Sequence, residues 1–386
     1  MESFGNMTDF PTSDRTEAAR ELRTQVSCLA KHLRSMHPWP SADYSTGGSF
    51  KIPINIHGAP HDMPLGFVGS RGCSWARAGG CTMCDYGGFE GHVPDDMLIQ
   101  QARDLLDQWP DEREINLSCL GSFFDDRELS PRARLGIVKE VASRPQIELL
   151  GVEARAGDLT TEKVREVKGI LGSKRCLEVG MGLESRNDFV RNVCINKGLN
   201  LSTFERAVQV LRACDVESVG HVLFKPPFLT DSEAITDAGE TIEYLDSLGV
   251  RRVVLMVCNV KRGTLVGELH RLGLYQAPWL WSVLQTSLSV SDSARSRLLI
   301  YGFDRGLPME QAGSNCRKCD GETLELIRRF SGTGDTDLLS RAFGLSCDCK
   351  KMWASLLRKS EAAPLPSRVR SQCEKLLRRI PRVSDG

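Results

Sequence analysis

Leu65-Gly66-Phe67-Val68-Gly69-Ser70-Arg71-Gly72-Cys73-Ser74-Trp75-Ala76-Arg77-Ala78-Gly79-Gly80-Cys81-Thr82-Met83-Cys84 (residues 65–84) joins a short apolar run to a glycine-rich loop with three cysteines. The run at 65–70 is the first of a series. Others follow at 114–119 (EINLSC), 147–153 (IELLGVE), 176–183 (CLEVGMGL), 218–224 (SVGHVLF) and 252–258 (RVVLMVC). Each is too short for a buried helix and rich in Val, Ile, Leu or Phe, as a strand buried on both faces requires. The stretches between them, such as 132–143 and 203–213, are long enough for crossover helices. This alternation predicts an α/β fold with a parallel sheet and helices outside. With right-handed crossovers, six such strands curl into a partial (β/α)6, TIM-like barrel. Binding groups are then expected at the carboxyl ends of the strands, where the cysteine loop begins.

Outward from this core, residues 1–50 read as an N-terminal arm with one helix from about Thr16 to His37. Residues 51–260 read as the barrel, 261–359 as a Cys-rich C-terminal lobe, and 360–386 as a basic tail. Lys plus Arg and Asp plus Glu number 50 each, so the formal net charge is zero. The whole chain therefore exerts no net pull on nucleic acid or an anionic membrane. No apolar run approaches the roughly 20 residues needed to span a bilayer, and the polar N-terminus lacks the apolar stretch of a secretory signal. A cytoplasmic location without a membrane partner is expected.

Seven of the fourteen cysteines fall in two tight groups. Clustered thiols in a reducing compartment read first as metal ligands. Cys73, Cys81 and Cys84 on one loop supply three thiolates, enough to hold a 4Fe-4S cubane and leave its fourth iron open. An open iron is what S-adenosyl-L-methionine (SAM) needs for chelation before reductive cleavage to a radical. The alternative is a zinc site completed by a residue such as His92. The second group, Cys316-x2-Cys319-x27-Cys347-x1-Cys349, suits an auxiliary 4Fe-4S cluster or a tetrahedral zinc, and the spacing does not choose.

The chain also resembles a known family, the radical SAM subunit of archaeosine synthase, related to the Elp-three-type radical SAM proteins. The matching motifs are Arg71-Gly72-Cys73-Ser74-Trp75, Gly79-Gly80-Cys81-Thr82-Met83-Cys84, Gly121-Ser122-Phe123-Phe124-Asp125, Val152-Glu153-Ala154-Arg155 and Glu178-Val179-Gly180-Met181-Gly182-Leu183-Glu184. They continue through Asn196-Lys197-Gly198, Phe224-Lys225-Pro226-Pro227, Arg262-Gly263-Thr264, Pro278-Trp279-Leu280-Trp281 and the second cysteine group. The resemblance implies a radical SAM barrel that abstracts a hydrogen atom from a nucleoside-like substrate. It implies that Gly121, Ser122 and Asp125 lie where the superfamily grips the SAM amino group, with Arg155 and Glu153 beside the SAM carboxylate. Glu184 is expected at the ribose hydroxyls. Glu178 and Lys225 are expected to act on substrate, with Asn196 and Lys197 as further contacts. A one-electron donor such as flavodoxin or ferredoxin is expected as partner.

Two outcomes remain open within that class. One is the family reaction, cleavage of a carbon–nitrogen bond in a lysine-modified deazaguanine carried on tRNA. The other, preferred from the sequence, is sulfur insertion or sulfur-for-oxygen exchange in a small nucleoside, as in albomycin-type thionucleoside biosynthesis, with the auxiliary cluster as sulfur source. The zero net charge favours the second. So does Cys84-Asp85-Tyr86, which departs from the Cys-Gly-Tyr expected of the archaeal enzymes. An iron–sulfur or zinc-binding protein without catalysis is the third reading.

Overall fold

In a computed structural model, which describes residues 17–37, 48–56, 59–85, 93–303, 309–358 and 363–379, the six apolar runs all become strands of one sheet. Two strands that the sequence reading left out flank them. The order is β1 (Ser49–Ile56), β2 (Ala59–Phe67), β3 (Glu114–Ser118), β4 (Leu149–Ala154), β5 (Cys176–Glu184), β6 (Glu217–Phe224), β7 (Arg252–Val257) and β8 (Leu298–Tyr301). Neighbours in sequence are neighbours in the sheet. β1 pairs antiparallel with β2, and every later pair is parallel.

α1 (Glu17–Ser35) precedes the sheet, and helices then cross between the parallel strands: α2 (Ser74–Arg77), α3 (Asp95–Asp107), α4 (Pro131–Ala142), α5 (Thr161–Leu171), α6 (Leu201–Ala213) and α7 (Asp231–Ser247). After β7 come α8 (Leu265–Arg271), α9 (Leu280–Ser289) and α10 (Asp292–Ser296), then β8 and α11 (Asp320–Thr333), α12 (Asp337–Gly344), α13 (Asp348–Leu357) and α14 (Leu365–Leu377). Caps set several starts. Ser130, Thr160 and Thr264 each accept a backbone N–H in the first turn, and Thr230 with Glu233 forms a full capping box on α7.

The large apolar cluster lies between the outer strand faces and these helices, with Leu117, Val152, Val179, Phe204 and Leu255 fully buried. The inner faces behave differently. Strand residues alternate sides, so 151/153/155, 178/180/182/184, 219/221/223 and 252/254/256 all point into the barrel. The sheet does not close on itself, because β1 and β8 share no ladder. Phe50 and Tyr301 stack across that seam with ring centroids 6.4 Å apart, and α11 lies over both edges.

Candidate active site

The barrel encloses a cavity of about 290 Å³, and Cys73, Cys81 and Cys84 all line it. The loop that carries them is held by four separate elements. From α1, Arg34 donates to the carbonyl oxygens of Ala76 (3.1 Å), Cys81 (2.9 Å) and Cys84 (2.7 Å). A Cβ on Gly80 would meet the Arg34 guanidinium at 2.1 Å, so only glycine leaves room for the clamp, and Gly80 also has a φ of 70°. A π-helical turn at Val190–Cys194 and the residues after it form the second brace. There the Thr82 hydroxyl donates to Cys194 O (2.8 Å), Trp75 Nε1 to Asn196 O (2.8 Å), and Asn196 Nδ2 to Gly80 O (2.8 Å).

The third brace is the loop after β3. Buried Glu128 accepts the backbone N–H of Ser74 and that of Ser122, one on each carboxylate oxygen and both at 2.5 Å. Burial pushes its carboxyl up to about 7, against the lowering effect of those two donors. Asp125 accepts the Ser74 hydroxyl at 2.6 Å. Burial acts to raise Asp125, but hydrogen bonds from Arg127 and Ser74 outweigh it and hold the carboxyl at about 2. Gly121 completes the junction, since a Cβ there would strike Glu128 at 1.9 Å and the Cys73 Cα at 3.0 Å. Lys261 closes the far side through Asp85, 2.5 Å away.

Deeper in the cavity, polar groups sit in pairs. Lys197 Nζ contacts Glu184 Oε1 at 2.7 Å. Burial alone would lower Lys197, but the Glu184 carboxylate keeps its pKa above the ordinary value. A Cβ on Gly182 would collide with both members of this pair. Arg252 Nη2 lies 3.1 Å from Glu178 Oε1, and burial raises the Glu178 pKa. Ser118 donates to Glu153 at 3.1 Å. The Arg155 guanidinium stacks over the Trp75 ring at 5.1 Å and donates to Lys197 O. Apolar Ile52, Ile54, Met63, Val219, Val254 and Leu299 form the end remote from the cysteines.

Of the residues singled out from sequence, Gly121, Glu153, Arg155, Glu178, Glu184 and Lys197 reach the cavity with the three cysteines. Ser122 and Asp125 do not; both are buried behind the loop, where Ser122 Oγ accepts Arg155 N–H at 3.1 Å. Lys225 is also absent from the lining. Its positive φ of 57° turns the chain away after β6, and its ammonium is buried 2.5 Å from Asp231. His92 lies outside the described residues. Arg34, Glu128, His221 and Arg252 were not foreseen. His221 and Arg252 carried one weak signal, a polar residue at an inward position of an apolar strand.

The donor set fits an iron–sulfur cubane with one open corner. Three thiols from one loop line the cavity. The fourth cysteine on its wall, Cys258, is fully buried just after β7, and burial pushes its thiol up to about 12. Cys316, Cys319, Cys347 and Cys349 form a separate group able to hold a metal centre. Their distance from the barrel interior shows in the cavity wall, which includes none of them.

No family model matches the chain. It is 31% identical over 297 residues to the archaeosine synthase subunit beta of Methanosarcina acetivorans, covering 75% of this chain and 83% of that one. It is 26% identical to the protein of the same name from Thermococcus kodakarensis, covering 78% and 93%. Among solved structures, methylornithine synthase aligns at 10% identity and a TM-score of 0.43, over 87% of this chain and 96% of that one. The radical SAM methyltransferase TsrM from Kitasatospora setae aligns at 11% identity and a TM-score of 0.44, over 82% and 61%.

Proposed function

We propose that this chain, which belongs to the archaeosine synthase subunit beta family, works as the radical SAM subunit of a carbon–nitrogen lyase acting on a lysine-modified deazaguanine. The observation that carries this reading is the cavity itself: three thiols at one end, and charged pairs on inward strand positions leading away from them.

Cys73, Cys81 and Cys84 would hold a 4Fe-4S cluster, which together with SAM supplies a 5′-deoxyadenosyl radical when bound. Arg34, Glu128 and the π-helical turn hold the loop from three sides and so would keep its ligands in place. Arg155, held over the Trp75 ring, would offer its guanidinium to a SAM carboxylate. Glu184, oriented by Lys197, would accept the ribose hydroxyls. Farther in, Glu178 and Arg252 offer opposite charges to a zwitterionic lysine arm, and the apolar wall beyond excludes water from a substrate radical.

Sulfur insertion, preferred from the sequence, requires the second cysteine group to meet the substrate in this cavity. None of the four lines it, and the lyase reading has no such requirement. A partner subunit that presents tRNA and a flavodoxin- or ferredoxin-like electron donor complete the proposal.

The test is anaerobic turnover of the reduced chain with SAM and tRNA carrying the lysine-modified base. Formation of 5′-deoxyadenosine with loss of the lysine arm, both absent in Cys84→Ala, is expected. A thiolated product with the arm retained would overturn the lyase reading in favour of sulfur chemistry. Failure of the intact, iron-loaded protein to cleave SAM at all would sink both.

A further inference from the structure

The open seam of the barrel and the second cysteine group meet on one helix. α11 is stitched to both free edges of the sheet. Ser331 exchanges hydrogen bonds with the backbone of Ile300 on β8 (3.2 and 3.1 Å), and Asn55 on β1 donates to Thr333 O at 2.7 Å. These bonds lie in the C-terminal half of α11. Its N-terminus is flanked by Cys319, and the N-terminus of α13 by Cys347.

The sulfur positions discriminate between metal centres. Cys316 and Cys319 are 3.6 Å apart, Cys316 and Cys347 3.5 Å, Cys319 and Cys349 3.6 Å, and all four sulfurs lie within 4.8 Å of one another. Four thiolates around one zinc ion, each about 2.3 Å from it, stand roughly 3.8 Å apart. A cubane gives every thiolate its own iron corner, which spreads the sulfurs to roughly 6 Å. A two-iron cluster likewise separates its two thiolate pairs. The observed spacing matches a single tetrahedral ion.

The surroundings suit the charge of such a centre. Four thiolates and a dication carry two net negative charges, and the site lies at the positive ends of α11 and α13. Backbone N–H groups of Lys318 and Cys319 donate to the Cys316 sulfur, and Trp281 Nε1 donates to Cys349 at 3.3 Å. Cys319 and Cys349 are each only 7% exposed.

We infer that Cys316, Cys319, Cys347 and Cys349 hold one structural zinc ion that fastens α11 across the open seam of the barrel. Four thiolates fill the tetrahedron, so the ion has no free position for substrate and no bridging sulfide to give away. The inference is independent of the proposed lyase activity, because its readout is metal content and coordination.

The test uses the full chain, purified anaerobically and reconstituted with iron and sulfide. Elemental analysis is expected to find one zinc per chain, both in wild type and in the Cys73→Ala/Cys81→Ala/Cys84→Ala variant. Zinc-edge X-ray absorption of the wild type is expected to show four sulfur neighbours at about 2.3 Å. About four irons with matching sulfide retained in the variant would overturn the inference. So would a zinc shell containing nitrogen or oxygen. The absorption measurement needs only wild-type protein, so it decides the matter even if the variant does not fold.

Discussion

Single residues around the cavity divide sharply by how far a sequence could reveal them. The three cysteines declare themselves by type and spacing. Glu128 does not, since its role depends on the loop after β3 folding back onto Ser74. Glu128→Gln replaces one of two acceptor oxygens with a donor that faces a backbone N–H. We expect a loss of about 1–3 kcal/mol in folding stability and a severalfold fall in iron retained per chain after reconstitution. Full iron content in the variant would show that the bridge does not position the loop. Arg252 makes a second case at this scale. Arg252→Met strands the buried Glu178 carboxylate and should cost about 3–5 kcal/mol in denaturant unfolding, whereas Glu178→Gln/Arg252→Met should recover most of that loss. Equal destabilisation by the single and double variants would count against a charge-pair origin.

At the scale of elements, the six central strands were legible because both faces of a parallel sheet are buried and the sequence shows it as unbroken apolar runs. β1 and β8 were not. β1 contains Pro53, and β2 contains Pro60 and Pro64, which argue against a strand until the edge position of β1 is known. β8 is only four residues long and falls within 261–359, the stretch that reads as the Cys-rich lobe beyond the barrel. One element also predicts a pH dependence. Asp237 on α7 is buried, receives the Ser185 hydroxyl at 2.6 Å, and is pushed by burial from its ordinary value up to about 7. A carboxyl raised in the folded state contributes stability that is fully present below its unfolded pKa near 4. That contribution is lost as pH rises to about 7 and amounts to at most about 4 kcal/mol. Thermal melts of wild type should therefore decline between pH 4 and 7 relative to Asp237→Asn, which mimics the protonated acid. Parallel profiles for the two proteins would refute the assignment.

For the whole molecule, charge and cavity size constrain how an RNA-borne substrate could reach the site. The chain has zero net charge, and the barrel space of about 290 Å³ is far too small for a folded RNA helix. A base carried on tRNA must be turned out of its stack to enter, which costs a few kcal/mol that some protein surface has to offset. With no net positive charge to draw it to phosphates, the chain alone is expected to bind tRNA weakly. Binding should have vanished by about 150 mM salt, since nonspecific affinity falls steeply as counterion release loses its driving force. A mobility-shift titration of the isolated chain across salt concentrations measures this. Tight, salt-resistant retention by the chain alone would place the RNA site on the barrel protein itself. Weak, salt-steep retention, restored when a second subunit is added, would mean that the barrel supplies the radical chemistry and its partner the grip on RNA.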